Sequence, residues 1–348
     1  MNDKLRRAAE ILSSYRGREL RIMEVCGTHT HELSRQGIRS LLSEDIVLIS
    51  GPGCPVCVTD VSYIDEAVWL ALEKGCIICT FGDLIRVPGS DMSLADARSR
   101  GADIQIVYAP ADAVDIARRH PDKQVVFLSV GFETTVPSSC IAVERAASEG
   151  TDNFTLLTAN KTMPGAYRAL IGSADAFLYP GHVSAITGTD VYEELKSMGI
   201  SGTVAGFTTA ELITALAVTV NGLIKGESFF VNCYPRVVRP EGSPAARRLI
   251  DKIMEPCDAV WRGLGSIPMS GLRLRDGYSA FDARTRHGIP AMEGRTDPAC
   301  CCGDVLSGRC RPADCPLFGT ICDPDHPVGA CMVSDEGACS AYFMYERR

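Results

Sequence analysis

Residues 125–148 read VVFLSVGFETTVPSSCIAVERAAS. Val125–Val130 is an apolar, β-branched run, Gly131-Phe132 is a turn, and Ser138–Ser148 is amphipathic at helical spacing. A strand that ends in a glycine turn and feeds a helix is half of a βαβ unit. The same texture spreads outward in both directions. Strands are expected at Leu20–Val25, Ile46–Ser50, Cys76–Thr80, Ile104–Val107, Phe154–Ala159, Ala176–Tyr179 and Thr203–Gly206. Helices are expected at Tyr63–Lys74, Ala111–Arg119, Val191–Met198 and Ala210–Ile224. The alternation predicts an α/β fold with parallel sheets, and eight strands fit two Rossmann-like domains better than one sheet. The polar turn His120-Pro121-Asp122 is the expected junction, giving domains at 1–120 and 121–240. A second Gly-Phe turn, Gly206-Phe207-Thr208-Thr209, echoes Gly131-Phe132-Glu133-Thr134-Thr135 and favours two similar halves.

After Tyr234 the texture changes. Pro, Gly and Arg become frequent, and a helix is expected from Pro244 to Trp261. From Asp297 onward no period of 2 or 3.6 is sustained, so 241–348 reads as a loop-dominated C-terminal domain. Eight of the 16 cysteines fall in residues 300–348, where a segment with so little regular structure needs a staple.

Composition narrows the function. The 348 residues carry a formal net charge of −8, which gives no electrostatic reason to expect nucleic acid. No run of about 18 apolar residues exists, so no membrane span is expected. The first twenty residues carry charges throughout and no apolar core, so no signal peptide is expected and the chain is placed in the cytoplasm. Thiols there are more often metal ligands or redox groups than structural disulfides.

Three constellations carry the chemistry. In the tail, Cys300-Cys301-Cys302 is a run, and Cys310, Cys315, Cys322, Cys331 and Cys339 are widely spaced. No paired knuckles of the zinc type are present, so the spacing favours an iron–sulfur cluster over zinc or a disulfide staple. Gly51-Pro52-Gly53-Cys54-Pro55-Val56-Cys57 follows a strand and sets a C-x-x-C thiol pair where open α/β sheets bind ligands. Cys26-Gly27-Thr28-His29 also follows a strand, and a thiolate with an imidazole suits iron, copper or zinc. Smaller signals stand at other strand ends: Glu133 as an acid/base group, His182 as a ligand or proton donor, and Phe81-Gly82-Asp83 with Arg86. Cys76 and Cys79 share the C-x-x-C spacing but lie in an apolar run and are expected to be buried. No glycine-rich dinucleotide fingerprint or P-loop is present.

Read in order, Cys26-Gly27-Thr28-His29, Gly51-Pro52-Gly53-Cys54-Pro55-Val56-Cys57, Phe81-Gly82-Asp83, Gly131-Phe132-Glu133-Thr134-Thr135, Pro180-Gly181-His182-Val183-Ser184, Tyr234-Pro235-Arg236 and the tail resemble the HypD family of hydrogenase maturation factors. The family spacing C-x14-C-x6-C-x16-C falls on Cys300, Cys315, Cys322 and Cys339. The resemblance implies two Rossmann-like domains around a cleft, and a third domain bearing a [4Fe–4S] cluster on those four cysteines. It implies redox-active pairs at Cys302/Cys331 and Cys54/Cys57, with Cys26 and nearby His29 at the iron under assembly. The implied role is a redox-active scaffold building the Fe(CN)2CO group of [NiFe]-hydrogenases. It would hold Fe(II) carrying CN and CO, work with a HypC-type chaperone and a HypE-type cyanide donor, and be a monomer when free. The alternative is a [4Fe–4S]-dependent protein-disulfide reductase of thioredoxin type. The chain departs from the family at Gly206-Phe207-Thr208-Thr209, where Gly-Phe-Glu-Pro is expected, and Cys301 and Cys310 receive no family role.

Overall fold

The computed structural model describes residues 3–347. Nine parallel strands form two sheets. They are β1 (Leu20–Glu24), β2 (Ile46–Ser50), β3 (Ile77–Thr80), β4 (Ile104–Ile106), β5 (Val125–Gly131), β6 (Phe154–Asn160), β7 (Ala176–Pro180), β8 (Ser201–Ala205) and β9 (Phe230–Asn232). One sheet has the order β2-β1-β7-β8-β9 and the other β4-β3-β5-β6. β5 is buried at every residue, as a parallel strand covered on both faces must be. The α/β class is as expected, with one strand more: β9 is short and its residues are partly buried or exposed, so it carries little apolar signal.

The two sheets are not consecutive along the chain. β1 and β2 start the first sheet, β3–β6 build the second, and β7–β9 return to the first. A boundary at residue 120 therefore falls inside the second sheet, between β4 and β5, and 121–240 mixes strands of both. Periodicity reports that a segment is a strand, not which neighbour it pairs with; here β5 pairs with β3 in the register Ile77↔Val125.

The stretch Pro244–Trp261 divides differently from expectation. A helix covers Pro244–Ile253, and β10 (Met254–Trp261) follows, paired antiparallel with β11 (Gly265–Leu274). Pro256 would break the helix interior, and burial alternates along Met254–Trp261 as in a half-buried strand. This hairpin joins the core of the second sheet: Met254, Leu272 and Leu274 pack in one cluster with Ile77, Phe127 and Phe154. Only the cysteine-rich segment beyond it forms the tail.

Both strand orders reverse direction once, between β1 and β7 and between β3 and β5. Open α/β sheets bind ligands at such switch points, beyond the carboxyl ends of the strands. Cys26 follows β1, Gly181-His182 follows β7, Phe81-Gly82-Asp83 follows β3, and Phe132-Glu133 follows β5. The motifs stand at the two reversals because the glycine turns lie there.

Candidate functional site

The Cys26 and Cys54 loops touch backbone to backbone. The Gly27 N–H donates to Gly53 O at 2.9 Å, and a Cβ on Gly53 would collide with the Cys26 N, Cα and C. Glycine at 53 is thus what lets the two loops meet. Cys26 is the N-cap of helix Gly27–Arg35, and burial pushes its thiol up to about 12 against a smaller pull from the His29 backbone N–H.

His29 is fully buried, and its Nε2 lies 3.1 Å from Gly206 O, so Nε2–H donates. Its Nδ1 has no partner and its pKa is lowered to about 4 by burial, so the ring is neutral with a free lone pair. The Phe207 ring stacks on His182, with centroids 3.9 Å apart, and packs tilted against His29, at 4.9 Å. The second Gly-Phe turn therefore walls the His29 side. Its departure from the family pattern has a local role: Thr208 caps helix Thr209–Lys225 in a capping box with Glu211, and Arg236 holds Glu211 at 2.9 Å. Glu211 Oε2 also accepts the Phe207 N–H at 3.0 Å, so this carboxylate orders the turn.

Cys54 caps the short helix Pro55–Val58, its sulfur accepting the Cys57 N–H at 3.3 Å. Burial would raise the Cys57 thiol. Hydrogen bonds with Cys331 and Cys54 and the positive Arg262 outweigh it and hold it low. Cys54 is pushed up, by burial first and then by Cys57. Arg262 fixes this segment as well as charging it, donating to Thr59 O from Nε at 3.2 Å and Nη2 at 2.9 Å.

In the tail the Cys302 and Cys331 sulfurs are 2.8 Å apart. Hydrogen bonding with Cys302 first, then with Cys339 and Cys57, and then burial push the Cys331 thiol up. Cys302 is lowered, chiefly by Cys331 and with help from Arg262. Cys57 Sγ lies 3.9 Å from Ala330 O, so Cys54, Cys57, Cys331 and Cys302 follow one another as neighbours. The tail is locked onto the first sheet by Thr28 Oγ1 donating to Glu336 Oε1 at 2.6 Å and by His31 Nδ1 at 2.9 Å from Asp335 O. Gly27 has no room for a Cβ beneath Glu336.

Cys300, Cys315, Cys322 and Cys339 line one small cavity with Cys302, Cys331, Phe318, Met332 and Gly329. The Val328 N–H donates to Cys322 Sγ at 3.3 Å, and a Cβ on Gly329 would press on Cys300 Sγ. Among the described residues no three Cys, His, Asp or Glu side chains close on one point as a single ion requires. A four-iron cluster binds each cysteine to a different iron, so its sulfurs stand apart around a cage. Four thiols around an apolar cavity, with a backbone donor to sulfur, fit such a cluster.

Glu133 is 5% exposed at the end of β5. Its Oε1 accepts the Met163 N–H at 2.9 Å, Oε2 has no partner, and burial raises its pKa to about 7. Its charge acts on the buried Tyr167 and Tyr192 hydroxyls, and no hydrogen bond joins it to a thiol among the described residues. The structure therefore brings together Cys26, His29, Cys54, Cys57, Cys302 and Cys331, and sets Glu133 apart. Arg262 and Glu336 escape sequence reading because neither lies in a motif; a lone arginine in the β10–β11 turn and a glutamate between tail cysteines gave no signal. Cys76 and Cys79 are buried as expected. No helix among the described residues is long and apolar enough to cross a membrane.

Residues 3–346 match the family model described as HypD, hydrogenase formation hypA family. The chain is 42% identical to the hydrogenase maturation factor HypD of Escherichia coli K12, over 99% of this chain and 94% of that one. It is 40% identical to the HypD of Cupriavidus necator, over 95% of this chain and 91% of that one. It is also 40% identical to a putative hydrogenase expression/formation protein of Methanocaldococcus jannaschii, over 99% of this chain and 96% of that one.

Proposed function

The chain belongs to the HypD family of hydrogenase maturation factors, and from that premise we propose that it is the redox-active scaffold on which the Fe(CN)2CO group of a [NiFe]-hydrogenase is assembled. The observation that carries this reading is the run of neighbouring thiols from the tail cavity, through Cys302 and Cys331, past Ala330 to Cys57, and on to Cys54 beside the Cys26 loop.

Cys300, Cys315, Cys322 and Cys339 hold a [4Fe–4S] cluster in this reading. When bound there, it supplies single electrons to the adjacent thiols. The protein's own chemistry is thiol–disulfide exchange. Cys57 Sγ lies 3.9 Å from the carbonyl of Ala330, the residue before Cys331, which sets the two thiols near each other for a mixed disulfide. A Cys54–Cys57 disulfide is reduced to two thiols as Cys302 and Cys331 close to a disulfide; two electrons and two protons change hands. Arg262 favours the thiolates of Cys57 and Cys302. At the other end the iron under assembly is cargo. Cys26 offers a thiolate, which must lose its proton on binding, and His29 offers its unpartnered Nδ1. Burial of both excludes water from a reactive iron centre. A HypC-type chaperone carries the iron group onward, and a HypE-type protein supplies cyanide, in the cytoplasm.

The test is infrared spectroscopy of the anaerobically purified protein co-expressed with its small chaperone. Cyanide and carbonyl stretching bands are expected, and they vanish in Cys26→Ala. The thiol relay also suits a cluster-dependent protein-disulfide reductase. A plain reductase has no use for the free His29 Nδ1 beside Cys26. Iron-replete wild-type complex without those bands, and a Cys26→Ala variant with full thiol-exchange activity, would establish the reductase instead.

A further inference from the structure

Beyond the carboxyl end of β6, that strand and the β10–β11 hairpin enclose a cavity of about 520 Å3, and none of the relay or tail cysteines lines it. The volume suits a metabolite-sized ligand rather than a bare ion. Lys161, the residue after β6, lines the cavity and is only 4% exposed. Its ammonium makes no hydrogen bond or ion pair among the described residues. Its Nζ stands 5.9 Å from the ring centroid of the buried Trp261. Burial lowers the Lys161 pKa to about 8, against a smaller upward pull from Asp60.

The other charges around the cavity are engaged or wet. Arg284 is held by Glu66 Oε2 at 2.7 Å and donates to Thr158 O at 2.9 Å, and Arg273 is held by Glu255 at 2.7 Å. Asp60 Oδ1 accepts the Ser62 N–H at 3.0 Å, and Asp282 Oδ1 accepts the Thr285 N–H at 2.7 Å. Asp258 and Asp276 are exposed, where water screens them. A buried ammonium without a hydrogen-bonded counter-ion is costly, and an anion in the cavity removes that cost. The space for one is kept by Gly271, which bridges Lys161 on one side and pairs with Cys257 on the other. A Cβ there would press on Ala259 Cβ at 2.8 Å and Cys257 Sγ at 3.1 Å, both in the cavity wall.

We propose that this cavity binds a small molecule through a carboxylate or phosphate group that pairs with the Lys161 ammonium. The Ser279 and Thr285 hydroxyls also line the cavity and offer uncharged hydrogen bonds to the rest of the ligand. The site stands on its own residues and does not rest on the iron-assembly reading.

The experiment uses the full chain, purified anaerobically in a buffer free of phosphate and carboxylates. Its amines are labelled with trace propionic anhydride, and each lysine is quantified by mass spectrometry. Inorganic phosphate and acetate are the probes, with chloride at matched ionic strength as the reference. At ten times its Kd an anion leaves about one site in eleven free, so labelling of Lys161 is expected to fall about tenfold. Exposed Lys74 and Lys225 should not change. The stronger protector of the two probes names the group on the ligand. In thermal unfolding, the protecting anion raises the wild-type midpoint above that in chloride, and Lys161→Met, with wild-type iron content and circular dichroism, loses that rise. Three results overturn the site: a Lys161 that is not labelled even without anion, labelling that neither probe lowers beyond chloride, or a Lys161→Met midpoint that rises as in wild type.

Discussion

Replacing Glu133 by Gln tests the environment at the end of β5. Burial holds this carboxyl at about 7, against an ordinary glutamate value of 4.5. Between those values the native chain keeps a proton that the unfolded chain has released. Stability conferred by the protonated form is complete below the lower value and is lost as pH rises through the folded value. A tenfold change in proton affinity is worth about 1.4 kcal/mol, so Glu133 costs the native state on the order of 3 kcal/mol at pH 8 relative to pH 4.5. Glutamine keeps an oxygen to accept the Met163 N–H and carries no charge. Its amide has a fixed penalty of its own, which cancels when the variant is compared with wild type at several pH values. The assay is urea unfolding of both proteins from pH 5 to 8 under anaerobic conditions. Relative to wild type, Glu133→Gln is expected to gain roughly 3 kcal/mol between the two ends, most of it between pH 5 and 7. The infrared band of a protonated carboxyl, titrating near neutrality in wild type and missing in the variant, checks the same assignment. A stability difference flat with pH, or one that falls as pH rises, refutes the reasoning.

Two other substitutions probe how the loops and the tail are held. In Gly53→Ala the new Cβ meets the Cys26 backbone, which cannot swing aside, so thermal unfolding should show a loss of about 1–3 kcal/mol with the Cys26 loop displaced. Arg39 bridges fully buried Glu24 at 2.5 Å and Glu346 at 2.9 Å. Arg39→Met strands the Glu24 charge and should cost about 3–5 kcal/mol at pH 8. Burial already raises the Glu24 pKa, so the loss should shrink at pH 5, where the carboxyl can protonate; equal losses at both pH values in denaturant titrations would contradict this.

The amino-acid sequence by itself determined most of the strands and the cysteine-bearing loops that meet at the site. A buried parallel strand is a short apolar run, and a loop that must turn sharply at its end needs glycine. Leu20–Glu24 before Cys26-Gly27 and Val125–Gly131 before Phe132-Glu133 were therefore readable without any tertiary information. The cysteines were readable too, since thiols are chemically distinct wherever they fall. Three things were decided only by the tertiary structure. Sheet membership was one, because β5 pairs with β3 across the turn at residue 120, and pairing is a long-range contact with no local signature. The hairpin of β10 and β11 was another: Met254–Trp261 alternates weakly, and the segment becomes a strand because Gly265–Leu274 folds back on it against the second sheet. The third was the relay. Cys57 and Cys331 are 274 residues apart in sequence, and nothing in either motif says that they lie side by side. They are neighbours because Gly27 and Gly53 let two loops close on each other while Thr28 and Glu336 fasten the tail above them. Local chemistry can be read from residue types, but proximity is set by packing among distant segments, which only the folded chain resolves.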